Sequence, residues 1–301
     1  MKKHRFLLGI IAVMMTGCGV FAGGTQREPL PASAVLEDQA RCETIARAHA
    51  EFWSAHDMDL FVEVYTEDVV HDDGEDPIVG ADDVSSMASN VLMLFPRLQT
   101  RARRLYTAGG ECLGVYEYFP LNLGGYDFTE DDPLIEIDLL RAREDRIFYW
   151  ELFEDHPTIE KQYPDEEAMQ YLKGERDLLD SYAAAWSSGE MDQVANLYAS
   201  GATREDVTFG EQQDGIEEIR SFARAFFKQY PSVQWDLETP FSGDISSGQV
   251  AGSTYRIRIE EKNSEACVIE AAVLLWRSDD GITKESIFYE ADSLIECGWA
   301  E

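Results

Sequence analysis

Positive charge is scarce in this chain. It carries 25 Lys and Arg against 58 Asp and Glu, with no run of basic residues. A field of that sign repels phosphates, which argues against a nucleic-acid partner. No CxxC occurs, so zinc ribbons and thioredoxin-like sites have no support. No GxGxxG, P-loop, Ser/His/Asp order or reactive Cys motif is present. Nucleotide chemistry, hydride transfer and covalent hydrolysis are therefore unsupported. No spacing matches an EF-hand loop or a zincin, so neither a metal nor a cofactor is expected. Beyond residue 18 no apolar run approaches the about 20 residues that a membrane-spanning helix needs.

What is present describes a folding chain. The apolar fraction is 45% and the aromatic fraction 11%, too high for a disordered acidic segment. The 301 residues correspond to two domains at about 150 residues each.

The amino terminus reads as an address. Lys2, Lys3 and Arg5 precede an apolar run from Phe6 to Met15, broken only by Gly9. That run is too short to span a membrane and fits the core of a secretory leader. It ends in Met15-Thr16-Gly17-Cys18, which resembles a bacterial lipoprotein signal with Met15 in place of the usual Leu. The resemblance implies cleavage after residue 17 and lipid on Cys18; an ordinary cleaved leader with an incidental Cys is the alternative. Gly19 is not Asp, which favours the outer membrane. Residues 18–35 form a Gly-, Pro- and Thr-rich tether. The lipid is then the only membrane attachment.

Four further cysteines fall two to each half. Cys42 with Cys112 and Cys267 with Cys297 is the simplest of three connectivities, and an exported chain permits it. Four buried thiols are the alternative.

The chain repeats itself. Trp53-Ser54, Met58-Asp59 and Tyr65 recur 133 residues later as Trp186-Ser187, Met191-Asp192 and Tyr198. Gly80 and Pro96 recur as Gly215 and Pro231, Ile135-Glu136 as Ile269-Glu270, and Ile147 and Phe153 as Ile282 and Phe288. So many matches in one order indicate duplication, at a period too long for a solenoid. Domain 1 is placed at 36–160 and domain 2 at 161–301.

Each copy shows helices before strands, an α+β order. In the first, periodicity predicts helices over Leu36–Ala55, Met58–Thr66 and Asp82–Leu94, the last stopped by Pro96. Alternation then predicts strands at Leu98–Ala108, Cys112–Phe119, Leu134–Arg143 and Arg146–Asp155. In the second, the helices are Glu166–Ser187, Met191–Ala199 and Ile216–Tyr230. Its strands are Val233–Thr239, Gln249–Glu260, Ala266–Arg277 and Ile282–Leu294.

This order, with Trp-Ser-x-x-x-Met-Asp, then Tyr, Gly and Pro at these spacings, resembles the SnoaL-like branch of the nuclear transport factor 2-like superfamily, to which ketosteroid isomerase belongs. The resemblance implies two tandem cones, each a curved antiparallel sheet wrapped around about three helices, with an apolar pocket at the open end. Such a pocket raises the pKa of a carboxyl buried in it. Carrying the isomerase positions over through Met58-Asp59 gives His49 where the family has Tyr, with Asp73 and Asp138 as the two acids. The second copy gives Tyr182, Asp206 and Ala272. Neither copy holds the full set.

The local context leaves each candidate with two readings. Asp73 lies in the acidic run Asp72-Asp73-Gly74-Glu75-Asp76, which is either a site or a solvated loop. His71 beside it offers a metal ligand with no supporting motif. His49 shares a helix face with Ile45, Phe52 and Trp53, as a core histidine or a functional one. Asp138 and Glu136 share a strand face that is either pocket wall or solvated back. Tyr182 and Asp206 form a hydrogen-bonding pair, or Asp206 belongs to an exposed loop with Glu205. Trp53, Tyr116, Tyr118, Trp150 and Phe153, with Trp186, Tyr255 and Phe288, are core by default and pocket lining where a pocket opens. The strand Arg146–Asp155 is apolar on both faces, which calls for cover on both sides; packing of the two copies as a pseudo-dimer would supply it.

The expected function is that of an envelope lipoprotein binding a small apolar ligand or a protein partner. The alternative is an isomerase, cyclase or hydratase with Asp73 as general base.

Overall fold

The computed structural model describes residues 30–73, 76–108, 110–123, 125–245, 248–260 and 266–300. The leader, the tether through residue 29, Cys18 and Glu75 lie outside them. The first half runs α1 (Ala32–Ala55), a 3-10 turn (Met58–Leu60), α2 (Phe61–Val64), β1 (Tyr65–Asp72), β2 (Ile78–Val79), α3 (Ala81–Leu94), β3 (Gln99–Ala108), β4 (Glu111–Phe119), the hairpin β5 (Leu121–Leu123) and β6 (Tyr126–Phe128), β7 (Leu134–Arg143) and β8 (Arg146–Asp155). Helix α4 (His156–Gln162) leads into the second half. That half runs α5 (Glu166–Ser187), α6 (Met191–Ala195), β9 (Tyr198–Asp206), β10 (Glu211–Asp214), α7 (Ile216–Gln229), β11 (Val233–Ile245), β12 (Gly248–Ile259), β13 (Cys267–Ser278), β14 (Gly281–Tyr289) and α8 (Ala291–Glu296).

The two halves share one topology. Antiparallel β3-β4-β7-β8 is extended by β1, parallel to β8, and β2. Antiparallel β11-β12-β13-β14 is extended by β9, parallel to β14, and β10. Each sheet curves around its own helices to make a cone. The sequence repeats have structural jobs. Gly80 and Gly215 sit at φ 97° and 80°, ahead of α3 and α7, a backbone state that favours glycine. Their N–H groups donate to Val69 and Ala202 respectively, each at 2.8 Å. Ser54 Oγ accepts from Thr100 N, and Ser187 Oγ from Trp235 N, both at 2.8 Å. Each serine pins the end of its long helix to the first strand of its meander.

Three buried clusters hold the molecule together. One fills the first cone and one the second. The third lies between the sheets: Leu113, Ile137, Leu139 and Phe153 meet Phe241, Val250, Leu274 and Phe288. Phe153 and Phe288 thus stand on the backs of their sheets. The halves also exchange ladder pairs, Phe241↔Asp155 and Ser242↔Glu154, and Tyr289↔Thr107. The first turn of α1 reaches across, placing Val35 in the second half's cluster. Disulfides join Cys42 to Cys112 and Cys267 to Cys297.

Some element boundaries differ from the sequence reading. The expected helix Met58–Thr66 ends at Val64, and Tyr65 opens β1. The β-branched and aromatic residues Tyr65, Thr66, Val69 and Val70 favour the strand. Met191–Ala199 likewise gives way to β9 at Tyr198, and Ile282–Leu294 splits into β14 and α8. The connection near Thr158 is helical, because the Asp155 carboxylate caps α4 by accepting from Thr158 N at 2.8 Å.

Candidate functional site

In the first cone, α1 presents His49 to the inner face of the sheet. His49 and Asp138 are fully buried. Alternation along β7 decides the face that periodicity left open: Ile137 and Leu139 join the inter-sheet cluster, so Asp138 points into the cone. His49 Nε2 lies 3.4 Å from Asp138 Oδ2, and its Nδ1 lies 2.8 Å from the Tyr65 hydroxyl. Asp138 accepts from Trp150 Nε1 at 2.9 Å and from the Tyr118 hydroxyl at 3.3 Å. Tyr116 packs against His49 with ring centroids 5.3 Å apart. Its ring lies over Gly114, where a Cβ would strike it, and Gly114 is the ladder partner of Asp138. The Tyr116 hydroxyl is buried without a hydrogen-bond partner.

The electrostatics follow from burial. Desolvation, then the Asp138 charge, pushes the Tyr65 and Tyr116 hydroxyls well above the usual phenol range. Glu136, two residues from Asp138 on the same face, is held well above the usual carboxyl range by burial, then by Asp138 and Glu154; the Tyr118 hydroxyl opposes the shift. Glu136 and Glu154 are cross-strand partners.

Asp73 lies elsewhere. Its carboxylate is 41% exposed and sits 3.5 Å from His71 Nε2. His71 stacks on Trp150 with centroids 4.0 Å apart, so Asp73 borders the cone beside His71. Residues Trp53, Tyr116, Tyr118 and Trp150 belong to the first cone, and Trp186 and Tyr255 to the second.

The second cone is built on the same frame with different groups. The ladder pair His71↔Trp150 is matched by Arg204↔Glu285, and Leu140↔Trp150 by Leu275↔Glu285. Counting back from Leu140 and Leu275 puts Val273, and not Ala272, at the place of Asp138. Ala272 faces the inter-sheet cluster. Here Arg204 Nε lies 3.0 Å from Glu285 Oε1, and Arg204 donates to Gln213 at 2.9 Å. The guanidinium sits 4.2 Å from the Phe222 ring centre and 5.3 Å from that of Trp186. The Tyr198 hydroxyl donates to Glu285, and Tyr182 faces the same carboxylate. Burial raises the pKa of Glu285, while Arg204 draws it down. Asp206 is buried, accepts from Tyr289 at 3.4 Å and adds its charge beside Arg204. Tyr182 and Asp206 thus each serve this ion-pair network.

Sequence reasoning missed Tyr65 as a site group, the acid row with Glu154, and the pair Arg204–Glu285. The available signal was that Arg204 and Glu285 occupy the duplicate positions of His71 and Trp150.

Two open surface grooves are also present, the first bordering the second cone, whose core includes Ala183 and Trp235. One, of about 440 Å³, runs between Ala183, Ser187, Trp235 and Arg258. The other, of about 530 Å³, is lined by Arg101, Glu117, Asp132 and Lys161 among others. Among the described residues no cluster of three or more His, Cys, Asp or Glu could hold a metal, and no helix is long and apolar enough to cross a membrane.

Two separate segments match family models. Residues 43–119 match the SnoaL-like polyketide cyclase model, and residues 179–285 match the SnoaL-like domain model. The chain carries two SnoaL-like domains in tandem. A search of curated proteins finds no match. Among solved structures, the chain is similar to a hypothetical protein with a ketosteroid isomerase-like fold from Catenulispora acidiphila, in complex with trimethylamine. Identity is 17%, coverage 42% of this chain and 94% of that one, and TM-score 0.37. It is also similar to a nuclear transport factor 2-like protein of unknown function from Cytophaga hutchinsonii. There identity is 15%, coverage 40% and 94%, and TM-score 0.31.

Proposed function

We propose that this SnoaL-like protein is an exported, lipid-anchored binding protein whose first cone holds a small ligand against His49 and Asp138. The supporting observation is a contrast within one chain. The second cone closes on its own ion pair, Arg204 with Glu285. The first has no such pair among the described residues and keeps a buried imidazole–carboxylate pair, His49 with Asp138, in its interior. Export is supported by the leader sequence and by two disulfides, bonds that persist in oxidising compartments. The lipid on Cys18 would place the protein at the outer membrane.

A second reading, an isomerase- or cyclase-type enzyme, is favoured by the orientation of His49. Tyr65 and Asp138 approach its two ring nitrogens, which fixes an imidazole for proton transfer. The base would then belong to the His49–Asp138 pair, which is fully enclosed in the cone, whereas the Asp73 carboxylate is 41% exposed.

Native mass spectrometry of the protein released from its own membrane in mild detergent tests the binding reading. The expected result is a retained small molecule that Asp138→Asn loses and Asp73→Asn keeps. No retained mass, or one indifferent to Asp138→Asn, would overturn it. Labelled palmitate should enter the wild-type chain and not Cys18→Ser; equal labelling would remove the anchor.

A further inference from the structure

The two disulfides stand in different surroundings. Cys42 and Cys112 are 2% and 1% exposed and belong to the core of the first cone. Cys267 and Cys297 are half-buried, and exposed Glu296 and Gly298 flank the second of them. A dithiol in solution reaches this bond more readily than the buried one. The bond ties the end of α8 to the start of β13. Gly298 follows at φ 66°, a left-handed turn that glycine adopts freely, and the chain folds back. Trp299 N and Ala300 N donate to the Leu294 carbonyl at 2.9 and 3.3 Å, and the Trp299 carbonyl accepts from Leu30 N at 3.0 Å. The Trp299 ring stacks on Tyr230 with centroids 5.4 Å apart and meets Phe209 and Tyr289 at 6.1 and 6.0 Å. Tyr289 donates to Asp206, whose charge lies beside Arg204. The indole is thus a stopper behind the polar network of the second cone. Near the same point of the repeat, the first half uses a link of another kind. Lys161, close to the end of α4, is tied to Asp132, ahead of β7, by an ion pair at 2.6 Å. A reductant breaks the covalent link and leaves the ionic one.

We infer that Cys267–Cys297 is a redox latch: reduction by a dithiol frees the segment Gly298–Ala300, withdraws Trp299 and opens the second cone between Phe209, Tyr230 and Tyr289. The inference stands apart from the ligand reading of the first cone. A thiolate of the reductant attacks one sulfur of the bond and forms a mixed disulfide. The other cysteine leaves as a thiolate and takes up a proton. The reductant's second thiol then displaces the remaining cysteine, which is protonated in turn. Two electrons and two protons pass to the protein, and the reductant departs as a disulfide. Without the bond, the segment depends on its backbone hydrogen bonds and on the packing of Trp299, a local unit that can open while the sheet stays folded.

The full-length protein in mild detergent is equilibrated with dithiothreitol at stepped ratios of its reduced to oxidised form. Free thiols are trapped with iodoacetamide, peptide masses report each pair, and hydrogen exchange is followed on the same samples. Cys267–Cys297 should open at a ratio at least about tenfold below that for Cys42–Cys112. In that singly reduced form the Leu30, Trp299 and Ala300 amides should exchange at least about tenfold faster, while the β11–β14 ladder keeps its protection. A Cys267→Ser, Cys297→Ser double variant should show the same pattern with no reductant; if it fails to fold by circular dichroism, the wild-type titration decides. Both pairs opening together, Cys42–Cys112 opening first, or a singly reduced form whose Leu30, Trp299 and Ala300 amides stay protected overturns the latch. Loss of ladder protection on single reduction also overturns it, because the bond would then hold the whole fold and not the segment alone.

Discussion

At the residue scale the account turns on substitutions between two equivalent sites. Replacing Arg204 by Met leaves Glu285 buried without its counter-ion. Breaking a buried pair in this way costs about 3–5 kcal/mol, and urea unfolding should read that loss. A loss under about 1 kcal/mol would mean that the pair does not seal the second cone. Gly252→Ala should cost about 1–3 kcal/mol, because its Cβ would strike the Phe241 ring and the Val273 carbonyl between the sheets. The sequence picked out His49 and Asp138 but could not join them. A strand face is undecided until something shows which side is covered, and Ile137 and Leu139 lying between the sheets settles it. Glu285 was passed over because its duplicate is Trp150, a residue of a different chemical kind.

At the element scale the disulfides tie different kinds of partner. Cys42–Cys112 links α1 to β4 across 70 residues, and Cys267–Cys297 links β13 to the end of α8 across 30. In the loop-entropy account the first contributes about 4 kcal/mol and the second somewhat less. A Cys42→Ser, Cys112→Ser double variant should therefore melt below the corresponding Cys267, Cys297 variant. The opposite order would show that native packing, and not chain entropy, sets their effect. The long helices and the four-strand meanders were legible because amphipathic and alternating periods are strong over ten or more residues. Strands β1 and β9 were not. Each follows a helix of only four or five residues and pairs in parallel with a strand far along the chain, so no hairpin signal marks it.

At the scale of the whole molecule, buried acids govern the pH response. Burial raises Glu136, Glu151, Glu154, Glu175 and Glu285 above the ordinary glutamate value. The folded chain then binds protons more tightly than the unfolded one. Stability is greatest below the unfolded glutamate pKa and falls as pH rises through the raised values. His156 acts oppositely: burial, then Arg176, lowers it to about 4. Its contribution is lost only as pH drops below the ordinary histidine value of 6.5. Self-repulsion at a formal charge of −33 adds to the glutamate trend. Thermal melts should therefore give a higher Tm at about pH 6.5 than at about pH 8; a Tm that climbs steadily with pH would contradict the sign.

Duplication gave this molecule two cones on one plan, with one sealed by its own Arg204 and the other left with a buried carboxylate and imidazole. The most direct test is a crystal structure at high resolution of protein taken from its native membrane, with no ligand added. The account predicts density for one small molecule within reach of Asp138 and the Tyr116 hydroxyl, and none beside Arg204. A first cone in which Tyr116 finds a protein partner and no foreign density remains, or a molecule lodged in the second cone instead, would contradict it.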